Sequence, residues 1–170
     1  MSLIIRPATL DDAPALSELA ASTFRETFER DNTAENLARH LTESYSPRLQ
    51  AAEIADPGAT ILLAETEASL IGYAHLAPGT TPSVAGPSPL ELKRFYIARP
   101  FHGQGVAQKL MHVTIDAARA RGARTLWLGV WERNPRAVAF YAKHGFTRVG
   151  QHTFMVGADA QTDWILVKPL

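Results

Sequence analysis

"RPFHGQGVAQKLM", residues 99–111, places two glycines one residue apart directly before the most regular apolar-periodic run of the chain. The period predicts a helix over about 104–121, stopped by Gly122. Val106, Ala107, Leu110, Met111, Val113, Ala117 and Ala118 fall on one face, and Gln108, Lys109, His112, Asp116 and Arg119 fall opposite. A one-sided helix of this kind packs on a sheet. Glycines ahead of it suit an anion, because first-turn N–H groups lack intrahelical partners and the helix dipole adds roughly half a positive charge. Without a Cβ at Gly103 and Gly105, phosphate oxygens can approach the backbone closely. The stretch is not a dinucleotide fingerprint, which wants a third glycine where Gln108 stands. Nor is it a Walker loop, which needs a Gly-Lys-Ser/Thr. For the glycines alone, a plain turn that starts a helix is the alternative.

The flanking segments supply the sheet. "LELKRFYI" (90–97) reads as a strand, and "TLWLGVW" (125–131) as a buried one. "NPRAVAFYAKH" (134–144) is a helix stopped at Gly145, and "FTRVGQHTFMV" (146–156) and "TDWILVKPL" (162–170) are two further strands. Towards the N-terminus, "SLIIRPAT" (2–9) is a short strand. Thr9 and Asp12 then form a capping box for "DDAPALSELAASTF" (11–24), with Leu16, Leu19, Ala20 and Phe24 at helical spacing. "RDNTAENLARHL" (30–41) repeats the start signal, with Asn32 as cap and Glu35 at the third position. "ATILLAET" (59–66) and "LIGYAHLA" (70–77) are strands joined by a hairpin at "EAS". Residues 77–89, crowded with Pro, Gly, Ser and Thr, read as a long surface loop. The order β-α-α-β-β-β-α-β-α-β-β predicts a single α/β domain over 1–170: three layers, with a mixed sheet of about six to seven strands flanked by about four helices.

Composition removes several functions. Seventeen Lys and Arg balance seventeen Asp and Glu, so no global field favours nucleic acid or a membrane surface, and a charged partner must meet a local pocket. The chain has no cysteine, which removes disulfides, thiolate metal sites and a cysteine-linked covalent intermediate. The six histidines show no ligand spacing, so no metal is expected. "MSLIIRPATL" is too short in its apolar part for a signal peptide, and Arg6 interrupts it. No run approaches the roughly 20 apolar residues of a spanning helix. A cytoplasmic protein that touches neither membrane nor nucleic acid is expected.

"WLGVWERNPRAVAFYAKHGF" (127–146) joins these pieces. Taken with "LELKRFYI" and "HGQGVA", it resembles the GNAT superfamily of acyl-CoA-dependent N-acetyltransferases. The superfamily's motif, [Q/R]-x-x-G-x-[G/A], is met by Gly105 and Ala107, with His102 where Arg or Gln is usual. The resemblance covers nearly the whole chain. It looks closest to the PaiA-like polyamine acetyltransferases, on "TFRETFE" (23–29), "LELKRFYI", "WLGVWERN" (127–134) and "HTFMVGADAQTD" (152–163). It implies a GNAT fold with acetyl-CoA as cosubstrate. Phe95, Tyr96 and Ile97 would lie along the pantetheine arm. His102, Gly103, Gln104, Gly105, Val106, Ala107 and Gln108 would surround the pyrophosphate, with "TLWLGVW" diverging from "KRFYI" to admit the thioester. Asn134 resembles the Asn beside that gap, and Lys143 reaches toward the coenzyme's phosphates.

The chemistry asks for two proton carriers. A primary amine, with a pKa of about 10, is protonated at neutral pH and must lose a proton before it can attack. Glu91, fourteen residues before Gly105, stands at the offset of the general-base Glu in histone-type members. If the strand runs unbroken, Glu91 shares a face with Phe95 and Ile97. A water chain is the alternative base, and a strand-edge carboxylate paired with Lys93 the structural one. The leaving thiolate needs an acid, and Tyr141, in the pattern Asn-x6-Tyr-x3-Gly-Phe, resembles the family's phenol. Without cysteine, direct attack in a ternary complex is favoured over an acetyl-enzyme. For the acceptor, Phe24, Phe28, Glu26 and Glu29 of "TFRETFER" lie where the family's first helices line the groove, and Trp131 ends a strand nearby.

The reading is therefore an acetyl-CoA:amine N-acetyltransferase acting on a small-molecule amine, a polyamine first. A protein N-terminus, a lysine or a xenobiotic amine is the second acceptor class. A CoA-binding sensor without turnover is the competing function, and a homodimer is implied by the resemblance alone.

Overall fold

The alternating and the helical periods both find their elements in the computed structural model, which describes every residue except 1, 80, 81 and 84. The strands are β1 (Ile4–Pro7), β2 (Thr60–Glu65), β3 (Leu70–Ala77), β4 (Pro89–Ile97), β5 (Thr125–Trp131), β6 (Thr147–Val156) and β7 (Asp159–Pro169). The helices are α1 (Ala13–Phe28), α2 (Ala34–Tyr45), α3 (Pro47–Ala55), α4 (Val106–Ala120) and α5 (Pro135–Lys143). The strands stand side by side as β1-β2-β3-β4-β5-β7-β6. Among the described residues only β4 and β5 run parallel, because α4 carries the chain back across the sheet between them. The mixed α/β sheet is the one expected.

The sheet divides the core in two. On one face Val106, Leu110 and Met111 of α4 and Tyr141 of α5 pack on Leu90, Leu92, Leu126 and Leu128. On the other, Leu16, Phe24 and Phe28 of α1 and Leu37 of α2 pack on Leu63, Tyr73 and Trp131. Arg6 ties β1 to both neighbours. It donates to Asp12 at 2.8 and 2.9 Å, just before α1, and to Glu65 at the end of β2 at 3.0 and 2.9 Å. No helix among the described residues is long and apolar enough to cross a membrane.

Four local details differ from the sequence reading. Helix α3 was not expected, although Ser46 caps it by accepting the Leu49 N–H at 3.3 Å and Pro47 opens it. Helix α2 is capped by Thr33, whose hydroxyl accepts the Asn36 N–H at 3.2 Å. Asn32 instead donates to the Phe28 carbonyl at 2.8 Å, closing the end of α1. Val113 is 37% exposed. At 100° per residue it lies about a right angle away from the line through Leu110, Thr114 and Met111 that the sheet covers. Strand β7 begins three residues earlier than read, after the tight turn at Gly157, whose φ is 60°. The loop of residues 77–89 includes 80, 81 and 84, which lie outside the described residues. Its far end is pinned, with Ala85 buried against Trp127 and Ile165, and the Thr125 hydroxyl donating to the Pro87 carbonyl at 2.9 Å.

Candidate active site

One extra residue in β4 shapes the site. His75 of β3 pairs with Arg94 and Leu76 with Leu92, so Lys93 is bulged out of the ladder. The bulge reverses the alternation of side chains. Leu90 and Leu92 before it and Phe95 and Ile97 after it all face α4, although their numbers differ in parity. Glu91 therefore lies on the opposite face from Phe95 and Ile97, with Arg94 and Tyr96. The shared face expected for an unbroken strand is corrected for that reason.

β4 and β5 pair only from Pro89↔Thr125 to Glu91↔Trp127 and then part. The Ala98 N–H donates to the Ile71 carbonyl of β3 at 2.8 Å. By alternation the peptide groups of Phe95 and Ile97 point the other way, into the opening between β4 and β5. A cleft of about 1010 Å³ runs through this opening from one face of the sheet to the other.

At one end of the cleft lies the glycine turn. Gly103 and Gly105 have φ of 79° and 80°, a region that favours glycine, and a Cβ at either would meet no atom within 4 Å. Gly105 caps α4, leaving the N–H groups of Val106, Ala107 and Gln108 without intrahelical acceptors. This is an open cradle of donors, and Arg136 and Lys143 of α5 line the cleft beside it.

His102 lines the same end but is engaged within the protein. Its Nε2 lies 2.6 Å from the Ile97 carbonyl and its Nδ1 2.5 Å from Arg136 Nη1. A carbonyl only accepts and a guanidinium only donates, so the ring is neutral and carries its proton on Nε2. The Ile97 carbonyl is thus already taken, leaving its N–H and both peptide groups of Phe95 toward the opening. Asn134 also has a structural duty, since its side-chain oxygen caps α5 by accepting the Ala137 N–H at 3.2 Å.

Tyr141 lies under the opening, packed edge-on against Phe95, Phe140 and Phe146. Burial holds its phenol well above its ordinary pKa, so it stays a proton donor. Burial also raises the carboxyl of Glu91, against the pull of Lys93 and Arg94. Glu91 stands where the two strands begin to part, with Gly79 so close that a Cβ there would come within 2.5 Å of its carboxylate.

On the far face, aromatic rings form a continuous wall. Phe24 stacks on Phe28 at 4.3 Å and on His40 at 4.3 Å, and Phe28 meets Trp131 at 5.1 Å. Glu26 accepts the Arg99 N–H at 3.2 Å. Glu53 of α3 holds Arg94 at 2.5 and 3.1 Å, and the Arg94 guanidinium lies 4.8 Å over the Tyr45 ring.

The cleft brings together most of the residues singled out from sequence: Phe24, Phe28, Glu91, Phe95, Tyr96, Ile97, His102, Gly103, Gly105, Ala107, Gln108, Trp131, Asn134, Tyr141 and Lys143. Three stand apart from its lining. The Gln104 amide turns back to the Pro100 carbonyl at 2.8 Å, the Val106 side chain is buried under α4, and Glu29 is exposed in the turn after α1. Glu29 misses because α1 ends at Phe28, and the following 3-10 turn changes the direction of the chain. The sequence reading missed Arg136, His40, His152 and Asp163. Only Arg136 carried a signal, at the start of a helix that begins with Asn-Pro.

The comparisons with known proteins agree with this architecture. The sequence model described as the acetyltransferase (GNAT) family matches residues 14–146. An uncharacterized N-acetyltransferase of Lactobacillus delbrueckii subsp. lactis is 33% identical over 160 residues, 94% of this chain and 92% of that protein. An uncharacterized N-acetyltransferase of Mycobacterium tuberculosis is 35% identical over 161 residues, 95% and 99% of the two chains. Among solved structures, the PaiA N-acetyltransferase of Thermoplasma acidophilum in complex with coenzyme A superposes with a TM-score of 0.83 at 22% identity, over the whole of both chains.

Proposed function

We propose, for a chain that belongs to the GNAT family of acetyltransferases, that its acceptor is a polyamine. As an N-acetyltransferase of that family it takes its acyl group from acetyl-CoA, which supplies an activated thioester. The residues present suit that cosubstrate. The outward peptide groups of Phe95 and the Ile97 N–H hold an extended amide-bearing arm as a neighbouring strand would, and the amides from Gly103 to Gln108 hold its pyrophosphate. His102 keeps the end of β4 and the start of α5 in place between those two contacts. Lys143 and Arg136 add positive charge beside the phosphates.

Glu91 takes the proton of the reacting ammonium. Its raised pKa brings a carboxylate closer to neutral pH, where a base both accepts and gives up protons readily. Tyr141 gives its phenolic proton to the departing sulfur. The cysteine-free chain suits a reducing compartment, and we place it in the cytoplasm.

The observation that carries the polyamine is the far half of the cleft. Phe24, Phe28 and Trp131 form an aromatic wall, with Glu26, Glu43, Glu53 and Glu91 around it. Such a surface takes alkyl chains and ammonium groups together. The test is release of coenzyme A thiol from acetyl-CoA against spermidine, spermine, short diamines, aminoglycosides and N-terminal peptides. Turnover concentrated on the polyamines is expected. Turnover confined to peptides or aminoglycosides would replace the polyamine with that class.

A further inference from the structure

Asp163 of β7 is a carboxylate of the cleft with no cation within hydrogen-bond distance among the described residues. It lies between Trp131 of β5 and His152 of β6 in the ladder, facing the same side of the sheet as both. It is 7% exposed, yet it lines the cleft, and its Oδ1 has no hydrogen-bond partner among the described residues. His152 Nε2 stands 3.9 Å from Oδ2, too far for a hydrogen bond. Gly129 of β5 makes the room. A Cβ there would come within 2.8 Å of His152 Nε2 and 3.1 Å of Asp163 Oδ2.

Four other acidic groups around this half of the cleft have partners. Glu53 holds Arg94 and Lys93, Asp31 faces Arg133 at 3.7 Å, Glu43 pairs with Arg39 at 3.0 Å, and Glu26 accepts from Arg99. His40 of α2 is stacked on Phe24, and burial lowers its pKa, which keeps it neutral. Burial likewise lowers His152 and pushes Asp163 up to about 7. A desolvated carboxyl without a counter-charge is costly, and a cation from outside would remove that cost.

We propose that Asp163, with His152 beside it, is a binding site for a second ammonium group of the acceptor, remote from the reacting amine. This rests on the amine-acceptor reading above. Glu91 pairs with Trp127, and Asp163 lies one strand further across and four residues further along. Two strand spacings of about 4.8 Å and four residues of about 3.3 Å put the two Cα atoms roughly 16 Å apart. One ammonium cannot touch both carboxylates. A linear polyamine along the aromatic wall reaches from one to the other, so Asp163 selects for length and for a second charge. No bond is made or broken at this site.

The test reads the Asp163 carboxyl directly in the full-length protein saturated with coenzyme A. Its 13C resonance, assigned by its loss in Asp163→Asn, is followed through a pH titration with and without n-butylammonium chloride, with 1-butanol as the neutral control. The expected result is a fall of the titration midpoint by about one pH unit or more with the cation only, as for a carboxyl gaining an opposite charge. A midpoint that stays put, or that moves equally with butanol, overturns the proposal. In turnover, Asp163→Asn is expected to raise the KM for spermidine about tenfold, the loss of one charge-assisted contact, with kcat nearly kept and n-butylamine unaffected. An unchanged spermidine KM overturns it as well. If spermidine is not acetylated but the midpoint still falls, the polyamine reading fails and the cation site stands.

Discussion

At the residue scale, the burial of Tyr141 fits the role proposed for it. Packing among Phe95, Phe140 and Phe146 fixes its ring, and the same desolvation keeps its hydroxyl protonated across the physiological range. Phenylalanine fits the same packing without the donor. Tyr141→Phe is therefore expected to lower kcat by about 100-fold or more, the usual contribution of a positioned general acid. Coenzyme A affinity should stay within about twofold by calorimetric titration, because only the proton donor is removed. Unchanged turnover would remove Tyr141 from the mechanism and leave it as core.

At the element scale, two interruptions of regular structure make the site. The bulge at Lys93 turns β4 so that its last residues leave β5, and the Glu53–Arg94 ion pair braces the bulge from α3. The second interruption is the left-handed start of α4. At Gly105 a Cβ would strike nothing, so Gly105→Ala is a test of backbone conformation and of ligand approach, not of packing. It is expected to cost about 1 kcal/mol of stability, seen as a fall of about 2–4 °C in Tm. The added methyl group stands over the amides of the helix start, so the KM for acetyl-CoA should rise about tenfold or more. A variant with normal KM would show that the anion does not sit on this turn.

At the scale of the whole molecule, the seven strands hold both halves of the cleft, and the N-terminal edge is fastened by charge. Arg6, between Asp12 and Glu65, holds the Asp12 carboxyl well below the usual carboxylate range. In the unfolded chain that carboxyl titrates near 3.9. Its contribution to stability is therefore complete above about pH 5 and is lost as the pH falls through the lower folded value. Asp12→Asn is expected to cost about 1 kcal/mol at neutral pH, the pair being partly exposed. The difference from the parent should begin to shrink below about pH 4 in denaturant titrations and close only below the folded-state value, where the carboxyl is protonated in both states. A difference independent of pH would assign the loss to the cap at Thr9 instead.

The order of the strands and of every helix but α3, and the glycine turn, were legible in the sequence, because they depend on spacing along one element and periods of 2 and 3.6 are local properties. Tyr141 and the aromatic segment of Phe24 and Phe28 were singled out by family resemblance, and both line the cleft. Thr33 and Ser46 carried cap signals as plain as those that were read, and α3 was legible in principle. What the tertiary structure decided involves residues distant in the chain. The bulge that puts Glu91 on the face opposite Phe95 and Ile97 exists only in the register between β3 and β4. The neutral tautomer of His102 depends on Ile97 and Arg136 together. Asp163 looks like an ordinary acid of an edge hairpin until β5 and β6 close around it. Desolvation is the sum of what other segments place nearby, and no window of sequence contains that sum.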